Sequence, residues 1–154
     1  MIKEHYRDYA TEAFRLYARM GKPTYKELKQ IYFDEALKNA EREIGFIKGT
    51  NIAKPTEYAL INAERAVDEK MGELLDILAV EKVINILDAS RDGHPIKRAV
   101  EIVYFEFVRG ELRRGEIVER VTKAQLEIPA SERQVYYWLK QARKMFALER
   151  GLRV

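Results

Sequence analysis

Hydrophobic residues recur at three- and four-residue intervals along most of the chain, and no segment keeps up the two-residue alternation of a β-strand. The first such stretch is predicted to form a helix that ends at Gly21 and Pro23. A second helix is predicted from Thr24, which forms a capping-box pattern with Glu27 and begins an apolar series that reaches Ile47. The pattern therefore predicts an all-α fold. The apolar positions of the first helix are Tyr6, Tyr9, Ala13, Leu16, Tyr17 and Met20.

A third helix is predicted to run from Thr56 to about Asp88. Between Leu60 and Leu78 its apolar residues have the spacing of coiled-coil a and d positions. Beyond Leu78 the apolar residues leave that register, so we expect a break or a rotated packing near Ala79.

Turn-forming residues cluster between Asp88 and Pro95, and the charge balance changes at the same place. Residues 1 to 93 hold 15 Lys and Arg against 17 Asp and Glu, whereas residues 94 to 154 hold 13 against 8. We therefore predict a helical N-terminal region, residues 1 to 93, and a separate C-terminal domain, residues 94 to 154. The basic end indicates a polyanionic partner.

Three helices are predicted in the C-terminal domain. The first covers about residues 95 to 109, and the second is short and covers about residues 115 to 123. The third begins at Ser131, a capping residue followed three positions later by Gln134. The apolar stripe of the first of these helices is predicted to be Ile96, Ala99, Val100, Val103 and Phe107.

The third helix of this domain is amphipathic at about 100° per residue. Its predicted buried stripe is Val135, Leu139, Ala142 and Phe146, beside a partly buried Trp138 that packs rather than stacks on bases. Arg and Gln on the other side have the forked geometry that reads base edges, and Lys and Tyr can hold phosphates. The side chains opposite the stripe are Arg133, Tyr137, Lys140 and Lys144, with Gln134, Tyr136 and Gln141 on the shoulders.

Within this helix the block Tyr-Trp-Leu-Lys-Gln-Ala-Arg-Lys occupies residues 137 to 144. Together with residues 99 to 110, 115 to 121 and 131 to 146, it resembles the helix-turn-helix of sigma-factor region 4, and it is most similar to phage late-gene regulators of the RinA and ArpU type. The resemblance implies binding to promoter or operator DNA and control of transcription. It places these residues at the DNA: Ser131, Arg133, Gln134, Tyr136, Tyr137 and Lys140.

One feature departs from the family pattern. Residues 122 to 130, where the turn is expected, contain no Gly. Either the short helix extends to about Gln125, or the motif is a looser variant. The resemblance gives no role to residues 1 to 93. Our hypothesis for them is self-association through the Leu60 to Leu78 seam, or contact with RNA polymerase.

Motifs for catalysis and metal binding are scarce in this sequence. It has no Cys, no P-loop, no Gly-x-Gly-x-x-Gly and no Gly-x-Ser-x-Gly, and His5 and His94 lack ligand-like spacing. The carboxylate pairs Glu64 with Asp68 and Glu69 with Glu73 are interpreted as solvated helix faces. We predict a protein that is not an enzyme and has no metal site and no cofactor.

No run approaches the roughly 18 apolar residues of a membrane span, and the first residues are charged, so a cytoplasmic protein without membrane contact is expected. Two alternatives to a transcriptional regulator remain open. One is a small terminase subunit that binds phage DNA for packaging and oligomerises. The other is a helical interaction module whose basic helix docks on an acidic protein surface.

Overall fold

The computed structural model describes residues 4 to 46 and 55 to 154. No strand occurs in these two ranges, so the predicted all-α fold is confirmed. None of their helices is long and apolar enough to span a membrane. The elements are α1 (Arg7–Arg19), α2 (Tyr25–Phe46), α3 (Pro55–Glu69), α4 (Met71–Ala89), α5 (Gly93–Val100) with a π-helical turn (Glu101–Phe105), α6 (Glu116–Glu127) and α7 (Glu132–Arg150).

The capping signals at two helix starts are confirmed. The backbone N–H of Glu27 donates to Thr24 Oγ1 at 3.1 Å, and the N–H of Thr24 donates to Glu27 Oε2 at 3.2 Å, which is a capping box at the start of α2. At the start of α7 the hydroxyl of Ser131 accepts from the N–H of Gln134 at 3.1 Å. Ile47, the last predicted apolar position of α2, lies outside the described residues.

The single helix predicted from Thr56 to about Asp88 is wrong, because the chain forms two helices that meet at Lys70. The N–H of Lys70 donates to the carbonyl of Val67 at 3.0 Å, which tightens the end of α3. Of the two alternatives expected near Ala79, the break is wrong, since α4 runs through that residue; the buried side chains of α4 beyond it are Val80, Val83 and Leu87. One residue between two helices hardly disturbs the apolar spacing, so the pattern could not locate the break.

The structure divides the chain into two compact units at places other than the predicted boundary between residues 93 and 94. The larger unit contains the described residues up to Pro23 together with Asp76–Val154, and the smaller contains the described part of Thr24–Leu75. The charge change and the turn near residue 93 are local features, whereas the division depends on which helices share a core. Helix α1 and most of α4 belong with the C-terminal helices.

An aromatic cluster shows why α1 belongs to the larger unit. The ring of Phe14 on α1 is stacked on Tyr104 at 5.7 Å between centroids and lies 5.8 Å from Phe146 on α7. All three side chains are buried. Helix α1 therefore completes the core on which α7 packs, and removal of such large rings typically costs several kcal/mol.

The helix predicted over residues 95 to 109 ends early. The π-helical turn stops at Phe105, and Glu106 is extended with φ −87° and ψ 140°. Phe107 has φ +50° and is 82% exposed, so its predicted place in the buried stripe is wrong. The stripe ends at Val103, and the chain leaves the helix as a loop that leads to α6.

Three arginines hold this loop through its carbonyl groups. Arg15 of α1 donates to the carbonyl of Gly110 at 2.9 Å, and Arg19 donates to that of Val108 at 3.2 Å. The buried Arg120 of α6 donates to the carbonyl of Phe107 at 2.9 Å and also to that of the preceding π-helical turn at 2.8 Å. These long-range bonds fix the approach of the chain to α6.

In the smaller unit α2 and α3 form a helical hairpin. Residues at the start of α2 line the same groove as residues at the end of α3, so the two helices are antiparallel. At one end of this unit the Tyr32 hydroxyl donates to Glu73 at 2.8 Å, and burial together with that carboxylate raises the pKa of Tyr32. The buried apolar side chains of the hairpin are Leu28, Ala40, Ala59, Ala63 and Val67.

Candidate nucleic-acid interface

Helices α6 and α7 are joined by four residues, 128 to 131. The N–H of Ile128 donates to the carbonyl of Ala124 at 2.8 Å, and Ile128 then takes the extended conformation that is usual before a proline, here Pro129. Of the two alternatives left by the missing glycine, the first is correct, and α6 extends even beyond Gln125 to Glu127. A connection of three to four residues is typical of a helix-turn-helix.

The predicted buried stripe of α7 is confirmed. Its four side chains are at most 1% exposed, and α7 packs on α1, α5 and α6 within the larger unit. Trp138 is half-buried, as predicted. The opposite side of α7 therefore faces solvent. The stripe consists of Val135, Leu139, Ala142 and Phe146.

Most of the predicted DNA-binding residues lie on this solvent side. Tyr136 and Gln141 are half-buried, and the other six are exposed, with Tyr137 at 54%. Within the part of the chain that the structure describes, Arg133, Lys140 and Lys144 form no ion pair. The exposed residues are Ser131, Arg133, Gln134, Tyr137, Lys140 and Lys144.

Four of these side chains form one row. Arg133, Tyr137, Lys140 and Lys144 are spaced by four, three and four residues, so they share one face of α7 over about 16 Å at 1.5 Å per residue. The Ser131 hydroxyl is instead engaged in capping the helix. We call the row of four residues the basic row.

Tyr136 has a different environment from the basic row. It lines a cavity of about 350 Å³ together with Arg7 of α1 and Ile117 of α6. Lys140 lines the same cavity from the edge of the basic row. The side of Tyr136 therefore faces a cleft between helices, and the tyrosine is accessible only in part.

The C-terminal half of the basic row borders a second cavity of about 670 Å³. Lys140 and Lys144 line it with Arg153 and His5. Glu4 also lines it, but its carboxylate is held by Arg143, so the cavity is basic. Arg153 is not among the predicted residues, because it follows the helix end at Gly151, where periodicity gives no direction for a side chain.

Two of the basic residues near the C-terminal end form hydrogen bonds within the fold and do not belong to the basic row. Arg143 donates to Glu4 at 2.7 and 3.1 Å and to the Tyr104 hydroxyl at 2.8 Å, and Arg150 donates to Asp76 at 2.7 Å. Burial lowers the pKa of Arg143, but the contacts with Glu4 and Tyr104 outweigh it and raise the pKa. The remaining basic side chains beyond residue 132 are exposed, and they are Arg133, Lys140, Lys144 and Arg153.

The two histidines lie apart from the basic row or at its edge. A ring nitrogen of His94 is 3.2 Å from the carbonyl oxygen of Asp88, which ties the turn after α4. His5 borders the basic cavity. Across residues 4 to 46 and 55 to 154, no group of three or more His, Asp and Glu side chains is placed to hold a metal ion.

No family model matches the chain, and neither the curated proteins nor the solved structures include one that is significantly similar to it. The resemblance to the phage late-gene regulators therefore stays a prediction from the sequence. Helices α6 and α7 and the four-residue turn between them are a separate, structural observation.

Proposed function

We propose that this protein binds double-stranded DNA sequence-specifically through α7 and regulates transcription. The observation that carries the proposal is the basic row, whose Arg133, Lys140 and Lys144 form no ion pair among the described residues. It lies on a helix that follows a four-residue turn and is buried on its other side. A helix fits the major groove, which is about 12 Å wide.

Residues near the start of α7 are proposed to read bases. In a helix-turn-helix the N-terminal residues of the second helix contact base edges. Arg133 is the second residue of α7 and can donate to O6 and N7 of a guanine. Gln134 follows it and has the geometry for an adenine. Tyr137, one turn further along, is exposed beside them.

The other end of the row is proposed to hold the DNA backbone. Lys140, Lys144 and Arg153 line one basic cavity and supply point charges for phosphates. Each phosphate contact releases condensed counterions, so binding is expected to weaken steeply as salt increases. Base contacts at one end and phosphate contacts at the other would fix the orientation of α7 on the duplex.

The proposed class of regulator follows from the sequence resemblance. The block at residues 137 to 144 is similar to that of phage late-gene regulators, which supports control of phage or prophage genes. Contact with RNA polymerase is part of the same proposal and is separable from DNA binding.

The test is selection of random duplex DNA by the purified full chain at two salt concentrations. We expect an enriched motif with the wild type and its loss with Arg133→Ala/Tyr137→Ala. A matched control is Arg91→Ala/Tyr58→Ala, which removes the same two residue types from exposed positions elsewhere. This control is expected to select the wild-type motif.

Other outcomes favour the alternatives. Salt-sensitive binding without any enriched motif would contradict a sequence-specific regulator and favour DNA packaging. Absence of DNA binding even at low salt would favour docking of α7 on an acidic protein surface. An enriched motif that survives the double substitution would place base reading outside the basic row.

A further inference from the structure

The hairpin of the smaller unit carries an open groove of about 780 Å³ between α2 and α3. Its α2 wall and its α3 wall differ in charge. Lysines lie on the α2 wall and carboxylates on the α3 wall, with apolar side chains from both helices. The residues that matter here are Lys26, Lys29 and Phe33 on α2, and Glu64, Val67 and Asp68 on α3.

The opposite charges of the two walls are not joined by ion pairs within the hairpin. Neither Lys26 nor Lys29 forms an ion pair with Glu64, Asp68 or any other residue that the structure describes. Lys29 lies over the ring of Tyr25, 5.7 Å from its centroid, within its own helix. With two positive and two negative side chains, the groove has no net charge to attract a polyanion such as DNA.

Apolar surface accompanies these charges. Phe33 is half-buried, and Leu60 is 41% exposed. Leu60 precedes Glu64 by four residues and Val67 by seven, so it lies on the side of α3 that forms the groove. A partner that covers these apolar side chains removes them from water, and this burial favours association.

We propose that this groove is the interface between two copies of the chain. In this dimer a two-fold axis runs parallel to the groove. Rotation about it places the α2 wall of each copy opposite the α3 wall of the other, and every residue keeps its position along the groove axis. Lys26 and Lys29 of each copy then lie opposite Glu64 and Asp68 of the other, so the same charge pairing occurs in both halves of the interface. Helix α2 of one copy lies antiparallel to α3 of the other, which gives a four-helix arrangement with Phe33 and Leu60 inside.

The charges select a second copy over other occupants. A partner must present an acidic wall to Lys26 and Lys29 and a basic wall to Glu64 and Asp68, at matching heights. The same groove, rotated about that axis, meets the requirement with no further assumption. The inference is independent of DNA binding, although two copies would bring two α7 helices to a DNA with two half-sites.

The experiment is sedimentation equilibrium of the full chain without DNA. The wild type is expected to dimerise. Lys26→Glu/Lys29→Glu alone and Glu64→Lys/Asp68→Lys alone are each expected to raise the dimer dissociation constant at least about tenfold, since like charges then face each other in both halves of the interface. An equimolar mixture of the two variants is expected to restore the dimer, because every contact again joins opposite charges.

The mixture distinguishes charges that act between two chains from charges that act within one hairpin. If each variant dissociates and the mixture does not recover, the charges act inside the chain and the proposal is overturned. A monomeric wild type, or a dimer indifferent to both variants, overturns it as well. A matched pair adds a second readout, since Leu60→Lys is expected to weaken the dimer and Ile31→Lys is not. Ile31 is 47% exposed and, being two residues from both Lys29 and Phe33, points about 160° away from the groove side of α2.

Discussion

Arg143 of α7 binds Glu4 through two hydrogen bonds, of 2.7 and 3.1 Å, and both side chains are almost fully buried. A third bond, of 2.8 Å, joins Arg143 to the Tyr104 hydroxyl. The next residue, Lys144, is exposed and belongs to the basic row. Two neighbouring basic residues of one motif thus have different roles: one holds the segment before α1 to α7, and the other faces solvent.

The first prediction separates these two roles. Arg143→Met is expected to lower the free energy of unfolding by about 3 kcal/mol, because it leaves the buried Glu4 carboxylate with only the exposed Arg7, 3.4 Å away, as an ionic partner. Lys144→Met makes the same kind of change at an exposed position and is expected to alter stability by less than about 0.5 kcal/mol. Urea denaturation of both variants measures the difference. Equal losses would show that the ion pair contributes nothing specific.

The second prediction concerns acid. Burial raises the pKa of Glu4, but the hydrogen bond and charge of Arg143, with those of Arg7, outweigh it and lower the pKa below its ordinary 4.5. Since the pKa is lower in the folded state, Glu4 stabilises the fold fully above about pH 4.5, and this contribution is lost as pH falls through the lowered value. The stability difference between wild type and Glu4→Gln is therefore expected to shrink in acid.

Unfolding free energies measured from neutral pH down to about pH 3 check this expectation. Glu41→Gln, an exposed change in the smaller unit, serves as the control. Its difference from wild type should stay nearly constant over the same range. A Glu4→Gln difference that is equally flat would show that the carboxylate does not contribute through its charge.

The third prediction distinguishes two adjacent aromatic residues. Trp138 is half-buried at the edge of the packed side of α7, so Trp138→Ala is expected to lower the free energy of unfolding by about 2 kcal/mol. Tyr137 is 54% exposed, so Tyr137→Ala should leave the melting temperature nearly unchanged and weaken DNA binding. Thermal melting and a DNA titration of each variant decide the assignment. Unchanged melting with lost DNA affinity for Trp138→Ala would instead make the indole a stacking platform.

The features predicted correctly from the sequence are those set by residues within about one helical turn. The Thr24 and Glu27 capping box, the Ser131 cap and the buried stripe of α7 need only local spacing. The exposed basic row follows from the same periodicity. Arg153 lies beyond the helix end, where periodicity gives no direction, and its place in the basic cavity could not be predicted.

The features that were missed depend on distant parts of the chain. The helix that was expected to reach residue 109 stops at Phe105, and Arg15, 95 residues from Gly110 in sequence, holds the loop that follows. Arg143 and Glu4 are 139 residues apart. No local pattern distinguishes a buried arginine with such a partner from an exposed one. The two compact units differ from the predicted domains for the same reason, because α1 joins the core of the larger unit through Phe14.

The last prediction concerns which residues of α7 contact bases and which contact phosphates. Arg133→Ala is expected to weaken binding to the selected sequence by about 1 to 3 kcal/mol and to relax base preference at one position, because a forked guanidinium reads a base edge. Lys144→Ala is expected to weaken all sequences alike and to reduce the slope of log affinity against log salt by about one, because it removes one phosphate contact.

Fluorescence anisotropy with the selected duplex and a scrambled one, each over a range of salt, measures both effects. Lys82→Ala, on α4, removes an exposed lysine that lies 4.0 Å from Glu149 and should leave both quantities unchanged. If Arg133→Ala weakened the two duplexes equally, Arg133 would be a backbone contact. Base reading would then have to come from the remaining exposed polar side chains in the first two turns of α7, which are Glu132, Gln134 and Tyr137.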